Sequence, residues 1–148
     1  MPPPLLLIMN KILIALILLL SFPAFASAFC FEQAGAEYGV SPGLLWSIAK
    51  VESGFVPQAV NWNPNGTYDY GLMQINSGWA RRLGASVWRS LGDPCTNVKV
   101  GAWILAQCVQ RFGYTWEAVG CYNASNERKR QEYARKVYAV FKRYFRRH

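Results

Sequence analysis

The chain has 148 residues, 52% of them hydrophobic and 15% aromatic, with 4 Cys and a formal charge of +8. That is enough for one core and too little for two, and with only 16% charged residues a largely disordered chain is excluded. The charge is unevenly placed: residues 29–125 hold six bases and six acids, whereas nine bases face only Glu127 and Glu132 from residue 126 onward.

Residues 12–20 form an unbroken apolar run, preceded by Lys11 and followed by Ser21, Pro23 and Ala26-Ser27-Ala28. A basic start, a short apolar stretch and an A-x-A site make residues 1–28 a signal peptide, cut after Ala28. The run is far short of the roughly 20 residues that span a bilayer. Lipid attachment at Cys30 is disfavoured by bulky Phe29, which stands where a small residue belongs. The expected mature chain is therefore exported and begins at Phe29, with all four cysteines retained and disulfides as the default. Export and a neutral body argue against nucleic acid. The basic tail suits an anionic partner such as a membrane surface, an acidic glycan or an acidic protein face.

The rest reads as mainly α. A short helix over 31–38 is ended by Gly39. Ser41-Pro42, a capping residue followed by Pro at the first helical position, opens a second helix that stops at Gly54. Leu44, Leu45, Ile48 and Val51 give it an apolar stripe. Residues 55–76 are rich in Asn, with two Pro and two Gly, and read as loop or short hairpin with a tight turn at Asn65-Gly66. A helix over about 97–112 ends at Gly113, and Thr115 caps another to about 122. The tail repeats Tyr133, Val137, Phe141 and Tyr144 at helical spacing over 126–145.

Helical spacing also sorts the cysteines. On one helix, Cys95 and Cys108 would lie on the order of 18 Å apart, whereas a disulfide needs Cα atoms within about 7 Å. Cys108 and Cys121 flank the Gly113 turn, where antiparallel helices would meet. The expected pairs are Cys108–Cys121 and Cys30–Cys95. Zinc lacks a ligand set, since there is no C-x-x-C and the one His is His148. No metal or cofactor is expected.

Glu52 stands out as a candidate general acid. It shares a stripe with Leu45 and Ile48 and sits in the last helical turn before Gly54, so desolvation and the helix dipole both disfavour its ionised form. A carboxylic acid still protonated near neutral pH can protonate a leaving oxygen. The alternative is a solvated helix-end Glu. The following loop offers amides (Asn61, Asn63, Asn65, Gln74, Asn76) and rings (Trp62, Tyr68, Tyr70), the pairing that carbohydrates ask for.

Glu52-Ser53-Gly54-Phe55, then Gly71-Leu72-Met73-Gln74-Ile75-Asn76, then Tyr122-Asn123 resemble the three motifs of lytic transglycosylases with the soluble-enzyme catalytic domain. The likeness spans roughly residues 30–125 and is nearest to small members that accompany secretion, conjugation or pilus machines. It implies a lysozyme-like α fold with a small loop or β-hairpin lobe, a catalytic domain over 29–125 and a basic helix over 126–148 packed on it. It implies periplasmic cleavage of the glycan strands of peptidoglycan by Glu52 alone, giving 1,6-anhydromuramyl ends. Ser53, Met73, Gln74, Asn76, Tyr122 and Asn123 would orient Glu52 or hold sugar, with Met73 on the cleft floor. The partners implied are peptidoglycan and a component of an envelope-spanning machine.

Two positions depart from that pattern. Cys121 replaces the usual Ala before Tyr122-Asn123. Asp69 stands where many lytic transglycosylases have no acid, and Glu52 through Asp69 to Ser77 also resembles animal-type lysozymes. Asp69 is thus an auxiliary charge, a loop-stabilising side chain or the nucleophile of a retaining hydrolysis. A lysozyme-type hydrolase and a non-catalytic wall-binding assembly factor are the competing functions.

Overall fold

The computed structural model describes residues 29–145; the expected leader lies outside them. Among the described residues, seven α-helices run in chain order as α1 (Phe31–Tyr38), α2 (Pro42–Ser53), α3 (Ala80–Leu83), α4 (Ala85–Arg89), α5 (Pro94–Phe112), α6 (Trp116–Asn123) and α7 (Glu127–Phe145). Between α2 and α3 lies an antiparallel sheet of β1 (Val60–Trp62), β2 (Tyr68–Tyr70) and β3 (Ile75–Asn76), in that order. The fold is mainly α and lysozyme-like, with one strand more than the expected hairpin.

Helix boundaries follow from caps. Ser41 Oγ accepts from the Leu44 N–H with Pro42 at the first position, and Gly54 ends α2 in the left-handed conformation. α5 begins at Pro94, three residues before the expected start, because Asp93 accepts from the Thr96 N–H at 2.7 Å and Pro94 follows it. The stretch after β3, in which the sequence shows no helical period, is a string of single turns: 3₁₀ at Ser77–Trp79, α3, α4 and 3₁₀ at Ser90–Gly92. None is long enough to carry a helical period.

The core is built on α2 and α5. Leu45 and Ile48 of α2, Val98 and Leu105 of α5, Leu72, Ile75 and Leu91 from the segments between them and Val137 of α7 all belong to one buried cluster. Each such side chain contributes roughly 1.5–3 kcal/mol by leaving water. Both expected disulfides are present: Cys30–Cys95 ties the start of α1 to α5, and Cys108–Cys121 joins α5 to α6, with Cα separations of 5.2 and 5.7 Å. α7 is part of this body. A Cβ on Gly120 would stand 2.4 Å from the Arg130 carbonyl, so the glycine lets α6 and α7 approach. At its far end Tyr144 and Phe145 pack against Trp46 of α2.

One buried polar side chain sets the sheet against α5. Asn97 accepts from the Met73 N–H at 2.8 Å and donates to the carbonyls of Tyr70 and Leu91, both at 3.1 Å. It is fully buried. Gly71 makes room for it, since a Cβ there would lie 2.2 Å from Asn97 Nδ2 and the backbone has φ +82°. Asn97→Ala should orphan one N–H and two carbonyls and cost about 3 kcal/mol or more. Urea denaturation should show the midpoint falling with the m-value unchanged; a midpoint within error of the wild type would refute this accounting.

Candidate active site

Glu52 occupies the last turn of α2, where the apolar stripe of Leu45 and Ile48 turns it toward the seam between the helical body and the sheet. Its carboxylate accepts a hydrogen bond from the Tyr133 hydroxyl of α7. Burial raises the Glu52 carboxyl to about 7, with the Asp69 charge pushing the same way; the Tyr133 hydroxyl and the Lys136 ammonium pull against it. Desolvation is the dominant cause, as the helical stripe implied. Burial also raises the hydroxyls of Tyr133 and Tyr122 well above the ordinary tyrosine range, so both remain O–H donors near neutral pH.

The seam opens into a cleft of about 640 Å³. Glu52 lies on one wall with Tyr122, Asn123 and Lys129; Asn63, Asp69, Gln74 and Asn76 form the facing sheet side, with Trp79 and Ile104 supplying apolar surface. Asp69 is clamped. Its Oδ1 accepts from the Asn76 amide at 2.7 Å and its Oδ2 from the Asn63 amide at 3.0 Å. Asn76 in turn accepts from the Gly78 N–H at 2.9 Å and donates to Thr67 at 3.1 Å, tying the clamp to the next turn.

Most residues expected at the site converge here, some by their backbone work. Gln74 has φ +51° and donates to the carbonyls of Gly71 and Ala59 at 2.9 and 3.1 Å, while accepting from Asn61 at 2.6 Å. Tyr122 donates to the Met73 carbonyl at 2.8 Å, holding the turn over 71–74 that contains Gln74. Asn123 is exposed on the cleft wall. Ser53 does not line the cleft: its hydroxyl donates to the Leu72 carbonyl at 2.7 Å and accepts from the Val56 N–H at 3.1 Å, pinning the loop beside Glu52. Met73 corrects the expectation of a cleft floor, because its side chain is fully buried against Gly101.

The rings of the sheet lie on the face opposite Asp69. Asp69 faces the cleft, so its neighbours Tyr68 and Tyr70 point to the opposite face of the strand, as does Trp62 paired with Tyr68. Trp62 packs against Tyr68 in a tilted pair at 5.0 Å between centroids, and the Tyr70 hydroxyl donates to Gln58 at 2.8 Å. Tyr133 is the side chain that sequence reasoning missed as part of the site. Its spacing with Val137 and Phe141 marks it as buried, but nothing local tells that its hydroxyl reaches a residue 81 positions away.

Residues 29–144 match the Transglycosylase SLT domain family. The chain belongs to this family. It is by class a peptidoglycan lytic transglycosylase. Protein IpgF of Shigella flexneri is 40% identical over 134 residues, covering 88% of each chain. Invasion protein IagB of Salmonella typhimurium is 41% identical over 142 residues, covering 91% of this chain and 88% of that one. The fold is similar to the crystal structure of an inactive mutant of the lytic transglycosylase Slt from Pseudomonas aeruginosa, with TM-score 0.62 and 21% identity. That match covers 81% of this chain and 24% of the larger protein. The SLT-family match runs to residue 144 and so includes α7 and Tyr133, not only the three motifs.

The raised carboxyl couples stability to pH. Between about 4.5, the ordinary Glu value, and about 7, the native state binds more protons than the unfolded state. Stability contributed by Glu52 therefore falls as pH rises through that window, reaching a penalty on the order of 3 kcal/mol above pH 7. Glu52→Gln should be nearly neutral at the acid end and stabilising at the alkaline end, as read by urea denaturation across pH. A gain that does not vary with pH would mean that Glu52 is not the group being desolvated.

Proposed function

We propose that this SLT-family enzyme is an exported, periplasmic transglycosylase that cleaves the MurNAc-β-1,4-GlcNAc bond of peptidoglycan and leaves 1,6-anhydromuramyl ends. The observation that carries the reading is a single carboxyl, lifted to about 7 by burial, opening onto a polar cleft. Protonated Glu52 gives its proton to the glycosidic oxygen as the C1–O bond breaks. The resulting carboxylate then takes the proton of the muramyl C6 hydroxyl as that oxygen bonds to C1. Atoms balance without water, and Glu52 ends protonated, ready for the next bond.

Asp69 serves this route as a fixed negative charge beside the developing oxocarbenium ion. Hydrogen bonds donated by the Asn63 and Asn76 amides to its two oxygens favour that role over a freely attacking nucleophile. Asn123 offers an exposed amide to sugar hydroxyls and acetamido groups, whereas both amide N–H groups of Gln74 and of Asn76 are engaged in holding the sheet lobe and Asp69, and Ser53 and Tyr122 hold the backbone around them. A second reading, retaining hydrolysis of the same bond with Asp69 as partner, draws support from the placement of both carboxylates in one cleft. The likeness to an invasion protein supports a role in opening the wall locally for an envelope-spanning apparatus.

Mass spectrometry of fragments released from purified peptidoglycan by the oxidised protein separates the two chemistries. Anhydro ends, each lighter by one water than a reducing end, are expected; reducing ends would replace this proposal with hydrolysis. Glu52→Gln should lower the rate at least 10²–10⁴-fold while sparing binding. Activity should decline as pH rises through about 7, because the acid form is lost there. A rate that climbs through that range would exclude Glu52 as the proton donor.

A further inference from the structure

The basic tail is not a uniform charged surface. Arg130 is paired with Glu117 at 2.8 Å and Arg128 with Glu132 at 3.5 Å. Lys129 has no carboxylate partner among the described residues and lines the cleft. Lys129, Tyr133 and Lys136 follow one another at four and three residues on α7, so they share a helical face. That face is the one Tyr133 turns toward Glu52. Lys136 lies near enough to Glu52 to act on its charge. Both lysines are exposed.

The cleft needs such cations if its substrate is anionic. Asp69, and Glu52 once it has given up its proton, would repel a strand bearing carboxylates. Muramyl residues carry them in two ways: on the stem peptide, or on the lactyl group once the peptide has been removed. A GlcNAc polymer has neither. Resting on the substrate proposed above, we propose that Lys129 and Lys136 form a carboxylate-binding edge of the cleft that recognises the muramyl side group and aligns the strand along α7. They are specificity residues: their ammonium groups sit beside the reacting sugar's substituent and take no part in proton transfer.

The test is binding, measured in the Glu52→Gln background well below pH 7. Three ligands are compared: peptide-bearing glycan strands, strands stripped by an amidase, and a GlcNAc oligosaccharide. Lys129→Glu with Lys136→Glu should weaken the muramyl strands about tenfold and leave the GlcNAc oligosaccharide unchanged. Lys→Arg at both positions should restore binding. Loss confined to peptide-bearing strands would assign the carboxylate to the stem peptide, loss confined to stripped strands would assign it to the lactyl group that the amidase frees, and loss on both would show that the edge accepts either carboxylate. Unchanged binding, or the same loss on all three ligands, would overturn the proposal. The parent reading fails separately, if protein with native Glu52 binds the strands through these lysines yet releases no fragments.

Discussion

The arrangement turns on a carboxyl that has been taken out of water at the end of a helix. Glu52 belongs to α2, whose other residues on the same stripe, Leu45 and Ile48, are fully buried. Burying those side chains fixes the rotation of the helix, and the rotation carries Glu52 into the seam. Desolvation raises its pKa, and the Tyr133 hydroxyl limits how far. A bare buried carboxylate would be very costly, whereas a group near 7 with one hydroxyl donor exists in both protonation states close to neutrality. The chemistry and the packing thus have one origin.

Holding that group requires elements far apart in sequence to be locked in register. α7 supplies Tyr133, and α7 is seated by the close approach at Gly120, by Val137 in the core and by the rings around Trp46. The facing wall is a sheet too small to stand alone. Asn97 anchors it to α5 through three backbone groups, and Ser53 and Tyr122 bond the carbonyls of Leu72 and Met73. The segment from Gly71 to Gln74 is consequently held from three helices. Its conformation includes a left-handed Gln74, which its own side chain stabilises by bonding back to Gly71.

What the sequence made legible is what short-range physics controls. Caps at Ser41 and Thr115, glycine stops at Gly39 and Gly54, and the stripe leading to Glu52 are all local patterns, and the structure has them. The cysteine pairing is legible because a rigid rod keeps Cys95 and Cys108 apart, while the turn at Gly113 brings Cys108 and Cys121 onto neighbouring helices. Side-chain direction in the sheet lobe was not legible, because it depends on which strand face meets the helices. One reference point, Asp69 toward the cleft, sends Tyr68 and Tyr70 to the other side. Met73 illustrates the same limit: its motif position suggests the cleft, whereas tertiary packing gives its side chain to the core and leaves its carbonyl to Tyr122.

The basic tail shows why net charge is a poor guide to what a segment touches. Its excess of cations suggests an outward face for an anionic partner, yet α7 buries Tyr133, Ala134 and Val137 and forms one wall of the cleft. Some of its cations are taken up by Glu117 and Glu132 within the fold. The remainder divide by helical position, some turned outward and Lys129 and Lys136 on the face of Tyr133. A helix of this kind cannot be removed as an appendage without removing the hydroxyl that tunes Glu52. Folding, electrostatics and access to the cleft are for this reason functions of the same nineteen-residue element.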